Sequence, residues 1–211
     1  MNKIDSLIRY CTLLWILSAV STCFAVESIS EVQMSRMREL VNSSFSQGSV
    51  IQNVPSDCLK PEQFELGMAV LEVYLKSIEF ASSRDTPARI DPYVTTQGIY
   101  AVPVIVDNKA CYIELFRFPD GSVEYVGSTF SPVYAEQLVN VAKGSMKKES
   151  FVERIVYLKS DMFKKIVVIY KDGTEEFHSV SPGTDRTPNS ATELRDFLRQ
   201  VYKNQMLIPT K

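Results

Sequence analysis

Phe118-Pro-Asp-Gly-Ser-Val-Glu-Tyr125 and Tyr170-Lys-Asp-Gly-Thr-Glu-Glu-Phe177 lie 52 residues apart and follow one plan. Each is an aromatic residue, a turn built on Asp-Gly, and a short run leading to a second aromatic. Pro119 presets φ in the first turn, and the glycine of each accepts φ > 0. Apolar runs enter both turns, Ala110 to Phe118 and Lys164 to Tyr170, and strands leave them, Ser122 to Val126 and Thr174 to Val180. A further strand precedes each hairpin: Ile99 to Val106, closed by Asp107-Asn108, and Glu153 to Lys159. Downstream, Ser131-Pro132 and Thr187-Pro188 stand 56 residues apart, as do Ala135 with Ala191 and Leu138 with Leu194. Both dipeptides suit helix starts, and Ser190 with Glu193 has capping-box spacing. Gly144 is placed to end the first of these helices, and Leu198 and Val201 extend the buried face of the second. The reading is two β-β-β-α units. Asp-Gly turns and Ser/Thr-Pro caps are common devices, so convergence accounts for the likeness as well as duplication does.

Upstream of these units two helices are expected. Residues 29–46 place Ile29, Val32, Met37, Leu40, Val41 and Phe45 near one face, with Gly48 as the stop. Residues 61–83 begin at Pro61 and carry Phe64, Met68, Leu71, Leu75 and Ile78 as a stripe, widened by Val70, Val73 and Tyr74. Residues 84–96 are polar, contain Pro87 and Pro92, and mark a linker, either an internal boundary or the loop crossing from the helical part to the sheet. The expected fold class is therefore α+β: two N-terminal helices followed by two β-β-β-α units, a mainly antiparallel sheet with helices packed on it. The segments are 1–25, 26–96 and 97–211, the last two in one domain. Residues 99–106 and 164–170 are apolar on both faces, which favours helices on both sides of the sheet. Pro103 places its strand at a sheet edge or a bulge.

The first 25 residues have the parts of a secretory signal: Lys3 and Arg9, an apolar run from Cys11 to Val20, and Cys23 and Ala25 as small residues before cleavage after Ala25. The apolar run is shorter than the roughly 20 residues that span a membrane. The expected destination is secreted or periplasmic, with no integral membrane segment after cleavage. Cys58 and Cys111 remain, and an even pair in an exported chain reads as one disulfide, stabilising by about 4 kcal/mol in the chain-entropy model.

The whole chain has 211 residues, 45% apolar and 23% charged, with Lys plus Arg 23 against Asp plus Glu 25. That balance argues against nucleic acid as a partner, because such binders carry a marked basic excess. A histidine-dependent triad has only His178 to draw on, and alternation puts it on the polar face of its strand, where an ordinary surface histidine is the plainer reading. Zinc and calcium spacings and the usual phosphate-binding glycine motifs are missing, so no metal and no cofactor are expected. Glu175-Glu176 point to opposite faces, leaving Glu114 and Glu124 on one hairpin as the carboxylate pair worth testing. Lys143, Lys147, Lys148, Arg154, Lys159, Lys164 and Lys165 read as a solvated basic region. Tyr93, Tyr100, Tyr112, Phe116, Phe118, Tyr125 and Phe130 crowd the first strand unit, and core packing covers most of them. Tyr100, Tyr112, Phe116, Tyr125 and His178 are the candidate interface residues.

The functional expectation is an exported, non-catalytic binding, adaptor or inhibitor-type protein with a protein partner. The alternatives are an extracytoplasmic hydrolase using carboxylates or a free cysteine, and a carrier for a small apolar ligand.

Overall fold

The computed structural model describes residues 29–46, 58, 64–129, 131–146, 151–160, 163–180 and 188–206. The proposed signal, Pro61, Phe130, Lys147, Lys148 and the loop before Pro188 lie outside these residues. The chain runs α1 (Glu31–Ser46), β1 (Phe64–Leu66), β2 (Val70–Leu75), α2 (Ser77–Ser82), β3 (Val94–Val106), β4 (Lys109–Arg117), β5 (Glu124–Thr129), α3 (Pro132–Met146), β6 (Val152–Lys159), β7 (Lys164–Tyr170), β8 (Glu175–Ser179) and α4 (Ala191–Met206). Seven strands lie in the order β5-β4-β3-β2-β6-β7-β8, and β1 pairs with β3. Every pairing is antiparallel except β2 with β6.

Local chemistry sets several boundaries. Ser30 and Gln33 cap α1 reciprocally: Ser30 N–H donates to Gln33 Oε1 at 2.9 Å, and Gln33 N–H to Ser30 Oγ at 3.2 Å. At α4 the Glu193 N–H donates to Ser190 Oγ at 3.2 Å and Asn189 N–H to Glu193 Oε2 at 2.9 Å. That capping box starts the helix at Ala191, three residues after Pro188. α3 begins at Pro132 and continues past Gly144 to Met146. The β3–β4 turn takes Asp107 and Asn108 at φ 50° and 64°, a left-handed pair matching the twist of the flanking strands.

The expected second helix is corrected to two strands and one short helix, β1, β2 and α2. A strand buried on both faces has apolar residues all round, and so does a buried helix; periodicity does not separate them. β2 lies inside the sheet, between β3 and β6, and its Val70, Val73 and Tyr74 suit a pleated surface. The N-terminal part of the chain is therefore built into the same sheet as the rest.

Of the two alternatives for Pro103 the edge is corrected, while the β3–β4 register does slip beside it, between Val104 and Ile105. β3 is a 13-residue internal strand, flanked by β4 on one side and by β1 and β2 on the other. Pro103 sits where β1 has ended and β2 has not begun, and its carbonyl accepts Gly67 N–H at 2.8 Å. An interruption in the neighbouring strand removes the need for the missing donor. Gly67 is required there, because an added Cβ would stand 2.6 Å from Pro103 Cγ.

Helices cover both faces. On one, α3 buries Ala135, Leu138 and Val141 against Ala101, Ile113, Tyr157, Ile166 and Val168. On the other, α4 and α2 pack Leu194, Leu198 and Phe80 on Val73, Val156, Leu158, Val167 and Ile169. Arg199 ties these two helices, donating to the carbonyls of Ala81 at 2.7 Å and Ser83 at 2.6 Å. α1 lies farther along that second face, with Met37 and Val41 against Val102 and Phe116. The element order β-β-β-α thus occurs twice, but α3 and α4 lie on opposite faces, and β3 and β6 run in opposite senses. The two units differ in hand, so no rotation superposes them; the recurrence is one of order.

Candidate functional site

The five candidate interface residues do not converge. Tyr112 and Phe116 are fully buried and belong to the core, so they are corrected from surface to interior. Alternation explains it: Tyr112, Glu114 and Phe116 share the face of β4 that lies under α1 and the Cys58 region. Tyr100 is half-buried, with its ring 5.0 Å from that of Phe118. His178 lies on β8, six strands from β5, or about 29 Å at ordinary strand spacing. Its Nε2 is 3.3 Å from Glu176 Oε1, and its neighbour Phe177 points into the core. Tyr125 alone of the five is exposed, on β5.

β5 is one of the two outer strands, and among the described residues it pairs only with β4. Leu115 faces Gly127 and Phe116 faces Tyr125, so Val126 is the extra residue of a bulge. Tyr125 (37% exposed), Val126 (41%) and Val133 (39%), at the start of α3, are large apolar side chains in solvent. Strand end and helix start are joined by a hydrogen bond, Ser131 N–H to the Thr129 carbonyl at 3.1 Å.

Beneath this edge lies Glu114, opposite Ser128, with no exposed surface. Both carboxylate oxygens are buried, with the Ser128 and Tyr125 hydroxyls as their polar neighbours. Tyr125 and Ser128 hydroxyls join each other at 2.5 Å beside it. Burial pushes the Glu114 acid up to about 7, although the Ser128 and Tyr125 hydroxyls pull it down. Burial likewise raises Tyr125 to about 12, with the Glu114 charge adding to it. An acid in this setting is neutral up to the middle of the pH range and puts a charge under β5 above it.

Glu124 does not complete a pair with Glu114. Its Cα partner is Arg117, while Glu114 shares its face with Phe116 and Tyr125, so the two carboxylates lie on opposite faces. Glu124 instead meets Arg117 at 3.5 Å in solvent. The free-cysteine route is closed as well, because Cys58 and Cys111 form a disulfide with Cα atoms 5.6 Å apart.

The basic region is corrected in part: Lys143 and Lys164 are exposed as expected, but Arg154, Lys159 and Lys165 are not simply solvated. Lys159 donates to buried Glu72 Oε1 at 2.6 Å, and the Tyr74 hydroxyl donates to the same oxygen at 2.5 Å. Arg154 pairs with Asp91. Lys165 is 1% exposed and points into the core. Its signal was present in Phe163-x-Lys165-x-Val167-x-Ile169, where the lysine occupies an inward phase. Glu175 is likewise structural: it accepts N–H groups of Ile90 at 2.9 and 3.0 Å and of Asp91 at 3.2 Å. Burial raises its acid to about 7, against the pull of the Ile90 amide, Arg89 and Arg154.

No protein-family model, curated protein or solved structure matches the chain. Among the described residues no cluster of His, Cys, Asp or Glu has the makings of a metal site, and no helix is long and apolar enough to cross a membrane.

Proposed function

We propose that this is an exported binding protein that holds an extended segment of a protein partner along β5. The observation that carries it is the outer strand itself, with Tyr125 and Val126 exposed on an edge that has no strand beyond it among the described residues. An edge strand offers unsatisfied N–H and C=O groups to a peptide, and its exposed side chains supply selectivity. The Val126 bulge limits indiscriminate edge-to-edge association, which suits a specific partner better than self-assembly. Export is the compartment in which the Cys58–Cys111 disulfide persists. This reading moves the docking edge from the strand of Pro103 to β5, one of the two outer strands among the described residues.

The test is capture from the native exported fraction with wild-type protein and with Tyr125→Ala/Val126→Lys. The wild type retains a partner that the double variant loses, and amides 124–129 exchange more slowly in the complex. A partner retained equally by both proteins, with no protection on β5, refutes the reading.

A further inference from the structure

We infer that Lys165 and Ser179 are the base and nucleophile of an acyl-transfer site on β8, at the opposite edge of the sheet. The two residues are Cα partners across β7 and β8. Lys165 Nζ stands 2.9 Å from Ser179 Oγ and 3.2 Å from Asn189 Oδ1, in the turn before α4. Both acceptors are neutral, and Lys165 is 1% exposed. Among the described residues no carboxylate comes within ion-pair distance of it. Glu193, whose charge favours the ammonium, already accepts the Asn189 N–H at 2.9 Å. Burial lowers the Lys165 pKa and so favours the neutral amine.

A buried ammonium with no counter-ion among the described residues is costly to hold charged. A neutral amine at hydrogen-bond distance from a hydroxyl can instead accept its proton, as serine–lysine pairs do in place of serine–histidine. Ser179 is half-buried on the outer strand, so an acyl compound can approach it from the edge while Lys165 stays covered. The Asn189 carbonyl oxygen keeps Nζ oriented in both protonation states.

The substrate class is a carboxylic ester or amide. Lys165 takes the Ser179 proton as Oγ attacks the carbonyl carbon, and the carbonyl electron pair moves to oxygen. The tetrahedral adduct collapses, the leaving group departs with the proton from Lys165, and Ser179 is left acylated. Water then attacks the acyl carbon while Lys165 takes its proton and returns it to Ser179, which releases the carboxylic acid. No other reactant is needed. This site is separate from β5 and does not depend on the binding proposal.

The experiment treats the folded, oxidised protein with a fluorophosphonate ester and locates the adduct by peptide mass spectrometry. Ser179 displaces fluoride and becomes phosphonylated in the wild type. Ser179→Ala gains no adduct at that peptide. Lys165→Met, matched in length and uncharged, labels about 100-fold more slowly or worse, the usual scale of a lost general base. Labelling of Ser179 at the wild-type rate in Lys165→Met overturns the pair. Absence of an adduct on Ser179 in the folded wild type overturns it whatever the lysine variant does, including failure to fold.

Discussion

Replacing Glu114 by glutamine tests the buried acid directly. The side chain keeps its shape and loses only the ability to ionise. In the unfolded chain the carboxyl has its ordinary value of 4.5, and in the folded protein burial raises it to about 7. Below pH 4.5 both states are protonated, and the group contributes no pH dependence. Between the two values only the unfolded state releases its proton, so stability falls as pH rises, by about 1.4 kcal/mol per pH unit. Above about pH 7 the loss is complete and amounts to about 3 kcal/mol. Glu175 titrates in the same window but is present in both proteins and cancels in the comparison. Glu114→Gln is therefore expected to match wild type at pH 4 and to exceed it by about 3 kcal/mol at pH 8. The assay is urea unfolding followed by circular dichroism, because the single tryptophan, Trp15, lies in the expected signal segment. Parallel stability curves for the two proteins from pH 4 to 8 would refute the claim that Glu114 is a neutral acid in the fold.

Replacing both Cys58 and Cys111 by serine removes the crosslink between residues 53 apart and lowers stability by about 4 kcal/mol, read by urea unfolding against the oxidised protein. Gly67→Ala drives a methyl into Pro103 and costs about 2 kcal/mol in thermal unfolding, part of which returns when Pro103→Ala is added. Lys159→Met leaves Glu72, 1% exposed, without its cation and costs about 3 kcal/mol; combining it with Glu72→Gln recovers most of that, and a double-mutant cycle measures the coupling.

Much of the fold could be read from short-range chemistry. The Asp-Gly turns and the Ser190–Glu193 cap depend on residues within four positions of each other, and the β-branched run at 164–170 and the alternating one at 175–179 flank such a turn; those elements stand where these signals place them. The 61–83 segment was not legible, since burial on both faces erases the difference between strand and helix. The site was less legible still. Tyr112 and Tyr125 are both tyrosines in strands, yet one is in the core and the other in solvent, because β4 is internal and β5 is outermost. Glu114 and Glu124 belong to one hairpin but face opposite ways, which only the register across the Val126 bulge determines.

By itself the sequence determined the α+β class, the hairpin turns, the caps and the Cys58–Cys111 pair, all of which follow from local conformational preference or, for the cysteines, from setting Cys11 and Cys23 aside with the expected signal. Tertiary structure alone decided which strand is left at the edge, that α3 and α4 take opposite faces, and that Lys165 meets Ser179. Those outcomes depend on strand order and register, set by how the whole chain buries its apolar surface, and no short stretch of residues encodes them.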